Sequence, residues 1–245
     1  MLAIAHRGLS AHFPENTVIA FEKAIQAGAR ALECDVHQVE NTFIIFHDFY
    51  LHKLTGNDGA LATTSMQTIE GLRIKGSEHK IPKLQDVFKL TAGRLMLNLE
   101  LKRIDNAGLF VDQLCELVRQ YEGDHDELDI VLSSFDHPML QNIKAKFRDT
   151  PLSNTLKFAA LIGHLPISKA QYAVDMQADI AAIDADLVDA EFVAHAKQNY
   201  LDVWCYTVNH EDLLLRLIDM RVDGIFCDDV SWAEQVIEKN LNCQL

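Results

Sequence analysis

The residues able to do chemistry in this chain stand at the ends of short apolar runs. "LAIAHRG" leads from Leu2–Ala5 straight into His6, Arg7 and Gly8. "ALECDVHQV" alternates with period two, so Ala31, Glu33 and Asp35 share one face and Leu32, Cys34 and Val36 the other. "RLMLNLELK" does the same, with Met96, Asn98, Glu100 and Lys102 opposite Leu95, Leu97, Leu99 and Leu101. "FIIFHD" ends in His47 and Asp48. Neighbouring carboxylates on one strand face repel, and a divalent cation, a basic side chain or a shared proton must compensate them. If these strand ends meet, Glu33, Asp35 and Glu100 suit a hard cation, Mg²⁺ or Ca²⁺, and Arg7 and Lys102 suit a bound phosphate. His6 and His47 converging on the same place mark it as a catalytic site.

The elements that must bring these ends together follow from the same patterning. Strands are expected at Leu2–Ala5, Ala31–Val39, Thr42–Phe46, Leu95–Leu101, Ile130–Ser133, Leu156–Ile162, Ile180–Ile183, Val203–Val208 and Gly224–Cys227. Helices are expected at Thr17–Ala27, Ala107–Tyr121, Met139–Phe147, Ala190–Gln198, Glu211–Asp219 and Trp232–Glu238, with a further helical pattern in "IPKLQDVFKL". Strand–helix repetition means parallel strands joined by crossovers. One strand breaks the rule. Only Glu40 and Asn41 separate Val39 from Thr42, which makes a hairpin and sends Thr42–Phe46 back antiparallel, carrying His47 toward Glu33 and Asp35. The remaining eight strands are the number that closes a TIM barrel, whose C-terminal strand ends carry the chemistry. An open doubly wound sheet lacks support, since no glycine-rich phosphate loop follows the first strand. The expected architecture is one α/β domain over residues 1–245. It is a (β/α)8 barrel with a hairpin extension of its second strand and an irregular insertion, about residues 49–80, at the mouth.

Composition narrows the function classes. A net charge of −14 argues against nonspecific binding to nucleic acid or anionic lipid. No signal-peptide pattern stands at the start, and no apolar run reaches the roughly 18 residues of a membrane span. The five cysteines are scattered and contain no Cys-x-x-Cys pair, which reads as buried free thiols in the cytoplasm. The expected partner is a small molecule, with no stable membrane insertion. The oligomeric state is not legible.

The pieces "AHRG", "PENT", "LECDV", "FHD", "IPKLQDVF", "LNLELK", "LSSF", "YTVN" and "VDGIFCDD", in that order from Ile4 to Asp229, resemble the glycerophosphodiester phosphodiesterases. The resemblance implies a TIM barrel with a small insertion after the second strand. It implies metal-assisted hydrolysis of a glycerophosphodiester to sn-glycerol 3-phosphate and an alcohol. Position by position it implies His6 and His47 as the acid/base pair, Glu33, Asp35 and Glu100 as metal ligands, and Arg7 and Lys102 as phosphate contacts. The chain departs from the family's pattern in three places. Lys53-Leu54-Thr55 stand where Arg-Thr-Thr is common, the hairpin turn lacks Asp-Gly, and Tyr206 stands where tryptophan is frequent, with Trp204 two positions earlier.

Plainer readings apply elsewhere. The other nine histidines, including His37 and His137, are read as solvated. Glu15 and Asn16 are read as opening the first helix, with Asn16 as its N-cap. Trp204 and Tyr206 are read as a substrate wall or as barrel filling, and the acidic run "EGDHDELD" as a solvated loop. With few other apolar groups evident at the rim, the leaving alcohol should be held loosely and different headgroups cleaved within about tenfold of one another. Two rivals share the scaffold. A lysophospholipase D would need a wider apolar rim, and a noncatalytic phosphate-binding barrel would lack one of the five histidine and carboxylate groups, all of which this chain keeps.

Overall fold

Strand and helix alternate along the chain in the computed structural model, which describes residues 1–91, 95–121 and 129–243. The elements begin with β1 (Leu2–Ala5), α1 (Val18–Gln26), β2 (Ala31–Val39) and β3 (Thr42–Ile45). Next come α2 (His52–Thr55), a 3-10 turn (Leu61–Thr63), α3 (Met66–Gly71) and α4 (Leu84–Thr91). The regular alternation then runs β4 (Met96–Arg103), α5 (Ala107–Tyr121), β5 (Ile130–Ser134), α6 (His137–Phe147), β6 (Lys157–Ile162) and α7 (Gln171–Asp175). It ends with β7 (Ile180–Asp184), α8 (Ala190–Gln198), β8 (Asp202–Tyr206), α9 (Glu211–Asp219), β9 (Gly224–Cys227) and α10 (Val230–Cys243).

The parallel strands pair in the order β1-β9-β8-β7-β6-β5-β4-β2, and β1 pairs with β2 to close the ring. This is the expected (β/α)8 barrel. β3 lies outside the ring, antiparallel to β2, with Val39 opposite Thr42 across the two-residue turn. Alternation along each strand splits the core in two. Leu32, Cys34, Val36, Leu97 and Leu99 face the helices, while Ile4, Ala31, Met96, Val131, Ala182, Trp204 and Phe226 fill the barrel. Fully burying a side chain of the Leu or Phe class contributes about 1.5–3 kcal/mol, so both layers are needed to offset chain entropy. Gly224 is a consequence of this filling, because a Cβ there would lie 2.7 Å from the Trp204 ring.

The insertion is less irregular than expected. Short helices form at α2, the 3-10 turn and α3, and Leu51, Leu61, Met66, Ile69, Ile74 and Ile81 build a small core with Val39, Ile44 and Phe46 of the hairpin. Its end is stitched back where the Ile45 N–H donates to the Pro82 carbonyl at 2.8 Å. Helices of four to six residues show no full apolar period, and α7, five residues long, escapes notice for the same reason. The cap of α1 also differs from expectation. Thr17, not Asn16, caps it, its Oγ1 accepting the Ala20 N–H at 3.3 Å. Most of the acidic run "EGDHDELD" lies outside the described residues.

Candidate active site

Beyond β1 the backbone turns through two left-handed residues, Arg7 (φ 57°) and Gly8 (φ 86°). Gly8 admits nothing larger, since a Cβ would lie 2.6 Å from the Ala20 carbonyl carbon. The turn aims the Arg7 N–H at Glu33 Oε2, 2.8 Å away. On the neighbouring strands β2 and β4, Asp35 stands opposite Glu100 and Glu33 opposite Asn98. One carboxylate oxygen from each of Glu33, Asp35 and Glu100 lies within 4.8 Å of the others. The expected carboxylate cluster therefore forms.

The basic side chains compensate these carboxylates unequally. Asp35 is fully buried, with Arg7 Nε 3.1 Å from its Oδ2 and Lys102 Nζ 3.5 Å from its Oδ1. Burial opposes its ionisation, but Arg7, Lys102, His47 and the Asn16 amide outweigh that and hold its carboxyl below the usual range. Lys102 also donates to Glu100 Oε1 at 2.6 Å. Burial and then repulsion from Asp35 still push Glu100 up. Glu33 fares worst. It is buried, its Oε1 has no partner, and desolvation followed by repulsion from Asp35 and Glu100 raises it well above a normal carboxyl. Asp35 Oδ1 likewise has no hydrogen-bond partner, but Lys102 Nζ stands 3.5 Å from it, so ion pairs compensate Asp35 and leave Glu33 Oε1 to a proton or a cation. That orphaned oxygen, among three hard donors, fits a divalent cation.

Both histidines are held by a carboxylate. His6 Nδ1 lies 2.7 Å from Asp228 Oδ1, and His47 Nδ1 lies 2.7 Å from Asp48 Oδ1. Asp228 is itself fixed by Ser10 Oγ at 3.1 Å and Asn209 Nδ2 at 2.7 Å, and these donors with His6 lower its pKa against the effect of burial. Burial lowers the pKa of His47 despite the attraction of Asp35. Carboxylate contacts at Nδ1 orient each ring and leave Nε2 to exchange a proton. His6, Arg7, Glu33, His47, Glu100, Lys102 and Tyr206 line one cavity of about 160 Å³, completed by Phe135, Leu161, Thr207 and Phe226.

Trp204 lies elsewhere. It is 4 % exposed and packs against Phe226 in the barrel filling, which makes it filler, whereas Tyr206 forms cavity wall with its hydroxyl donated to the Ile162 carbonyl. Glu15 and Asn16 join the site, contrary to the helix-opening role expected for them. Glu15 Oε1 accepts from Arg7 Nη1 at 2.7 Å, and Asn16 Nδ2 donates to Asp35 Oδ2 at 2.7 Å. His37 and His137 are also not solvated. His37 is 1 % exposed, contacts the His47 carbonyl, and is pushed down to about 4 by burial, while His137 stacks on Tyr172 and reaches the Leu161 carbonyl. Sequence reasoning missed Asp228, although its place after β9 at the barrel mouth was the available signal.

Comparison with known proteins places the chain in a family. The model of the glycerophosphoryl diester phosphodiesterase family matches residues 6–231. A glycerophosphodiester phosphodiesterase of Caldanaerobacter subterraneus is 27 % identical, covering 97 % of this chain and 98 % of that protein. A human lysophospholipase D is 22 % identical over 92 % of this chain and 82 % of its own. A phosphodiesterase of Oleispira antarctica, solved in complex with the product sn-glycerol-3-phosphate, shares the fold with a TM-score of 0.84. Its identity is 23 %, with 97 % of each chain covered. A family match over nearly the whole chain leads to one conclusion: this chain is an enzyme of the glycerophosphoryl diester phosphodiesterase family.

Proposed function

We propose that the chain, as one catalytic domain over residues 1–245, hydrolyses glycerophosphodiesters to sn-glycerol 3-phosphate and an alcohol. Metal-assisted His/His acid–base catalysis would carry the reaction. The observation that carries this reading is the meeting, around one cavity, of two carboxylate-held histidines, the three-carboxylate cluster and two basic side chains. Glu33, Asp35 and Glu100 would hold the cation, Mg²⁺ or Ca²⁺, which supplies positive charge to a phosphate oxygen. Arg7 and Lys102 bind another phosphate oxygen and stabilise charge as it develops. One histidine takes a proton at Nε2 from the nucleophile, and the other donates one to the departing alkoxide. The Asp48 and Asp228 contacts at Nδ1 keep each ring in the tautomer that leaves Nε2 available. Leu161, Phe226 and the Tyr206 ring close the apolar side of the cavity and limit water around the reacting groups. Among the described residues no helix is long and apolar enough to cross a membrane, and the free thiols Cys34, Cys205 and Cys227 support a cytoplasmic setting.

The test is product identity. Purified protein supplied with Mg²⁺ or Ca²⁺ should release sn-glycerol 3-phosphate from glycerophosphocholine, while bis(p-nitrophenyl) phosphate should be a much poorer substrate despite its better leaving group. Phosphate left on the alcohol in place of glycerol, or efficient cleavage of the glycerol-free diester, would contradict the reading.

A further inference from the structure

A second hollow opens beside the catalytic cavity. It measures about 610 Å³ and shares Glu100, Lys102 and Phe135 with the cavity, so the two hollows adjoin at Lys102. Its walls differ from the expected rim with few apolar groups, because Phe49, Phe135 and Met139 all line it. Phe49 and Phe135 are 52 % and 48 % exposed, an unusual placement for rings that are nonetheless held. Phe49 meets the His37 ring edge-on at 5.2 Å, and Phe135 meets the Tyr206 ring at 5.6 Å. Rings fixed in advance bind a ligand without further ordering cost.

The charges on these walls are nearly all spent. Lys102 is paired with Glu100, and Arg103 Nε donates to Asp105 Oδ1 at 2.9 Å. Asp136 forms no ion pair with any described residue. Its Oδ1 caps α6 by accepting the Met139 N–H at 3.0 Å, which leaves Oδ2 to a ligand. The groove thus offers two aromatic faces and one net negative charge. Phe135 already receives a cation in this setting, with Lys102 Nζ 5.9 Å from its ring centre.

We infer that this groove receives the leaving alcohol and selects a cationic one, an ammonium-bearing alcohol of the choline or ethanolamine kind, held by the Phe49 and Phe135 rings and the Asp136 carboxylate. Aromatic faces attract ammonium groups through their quadrupole, and a carboxylate at the rim adds to it. The inference rests on the hydrolytic reading above and replaces the expectation of a loosely held alcohol.

The experiment measures kcat/KM on three glycerophosphodiesters, those of choline, of glycerol, and of 3,3-dimethylbutanol, the uncharged isostere of choline. The choline diester should exceed both neutral ones by about 5–30-fold, the range that a cation–π contact with a carboxylate supplies. Asp136→Asn keeps the helix cap and removes the charge, and Phe49→Leu keeps the apolar bulk and removes the aromatic face. Each should bring the choline-to-isostere ratio toward one while turnover of the glycerol diester holds. Equal rates on choline and its isostere, or a ratio unmoved by both substitutions, would overturn the groove assignment alone. Failure to cleave any of the three would overturn the hydrolytic reading and this inference with it.

Discussion

At the scale of single residues, the chemistry turns on proton positions. His6→Ala or His47→Ala should lower kcat by about 10²–10⁴-fold in initial-rate measurements, the usual contribution of a positioned acid or base. The two losses should not multiply in the double variant, since a stalled proton transfer at either end already defeats the step. Asp228 does not line the cavity and acts through His6, so it is a positioning residue. Asp228→Asn should reduce kcat by about 10–100-fold with KM nearly unchanged and the pH–rate profile altered, because the His6 tautomer is no longer enforced. A profile identical to that of the unaltered enzyme would remove Asp228 from the mechanism. Glu33 supplies a second test. Its folded-state pKa is raised above the unfolded value, so its contribution to stability is present below the unfolded carboxylate range and lost as pH rises through the folded value. Asp35 is shifted the other way, and its contribution is lost only as pH falls through its lowered value. In chelator the melting temperature relative to that of Glu33→Gln should therefore fall between pH 5 and pH 8, since the lowered His37 and His47 act in the opposite sense in both proteins. Added Mg²⁺ or Ca²⁺ should raise it most at pH 8. In Glu33→Gln itself both effects should weaken, keeping only the share of the pH dependence that the raised Glu100 contributes. A melting temperature indifferent to cation at pH 8 would leave Glu33 without the compensation proposed for it.

At the scale of elements, two glycines hold the strand ends where the chemistry needs them. Gly8→Ala would force a Cβ against the Ala20 backbone at a left-handed position, and Gly224→Ala would drive one into the Trp204 ring. Each should cost about 1–3 kcal/mol, or roughly 2–12 °C in melting temperature for a chain of this size. Calorimetry would measure it. Gly8→Ala should also lose activity out of proportion to stability, because the turn carries the Arg7 N–H to Glu33. Much of this scale is legible in the sequence. Period two in "ALECDVHQV" and "RLMLNLELK" places Glu33, Asp35 and Glu100 inside the barrel, and the two-residue turn Glu40–Asn41 brings His47 back beside them. What stays hidden depends on contacts distant in sequence or on loop conformation. Asn16 reaches Asp35 only through a left-handed residue, φ 56°, in a loop that local pattern reads as a cap. Asp228 meets His6 across 222 positions of sequence. Trp204 sits on the mouth-facing side of β8 but one layer too deep, and alternation gives the face of a residue without its depth.

For the whole molecule, barrel closure between β1 and β2 is what makes the site, since it sets His6 and Arg7 against Glu33 and Asp35. The hairpin then adds His47 and its partner Asp48 from outside the ring. Three clustered carboxylates, two of them buried and each of those with an oxygen that lacks a hydrogen-bond partner, make sense in such a closed mouth if a divalent cation completes them. The most direct measurement is the rate of sn-glycerol 3-phosphate release from a glycerophosphodiester by metal-stripped protein, first in excess chelator and then on titration with Mg²⁺ or Ca²⁺. The account predicts no detectable release in chelator and recovery with a saturable dependence on one of these cations. Full activity in excess chelator would contradict it.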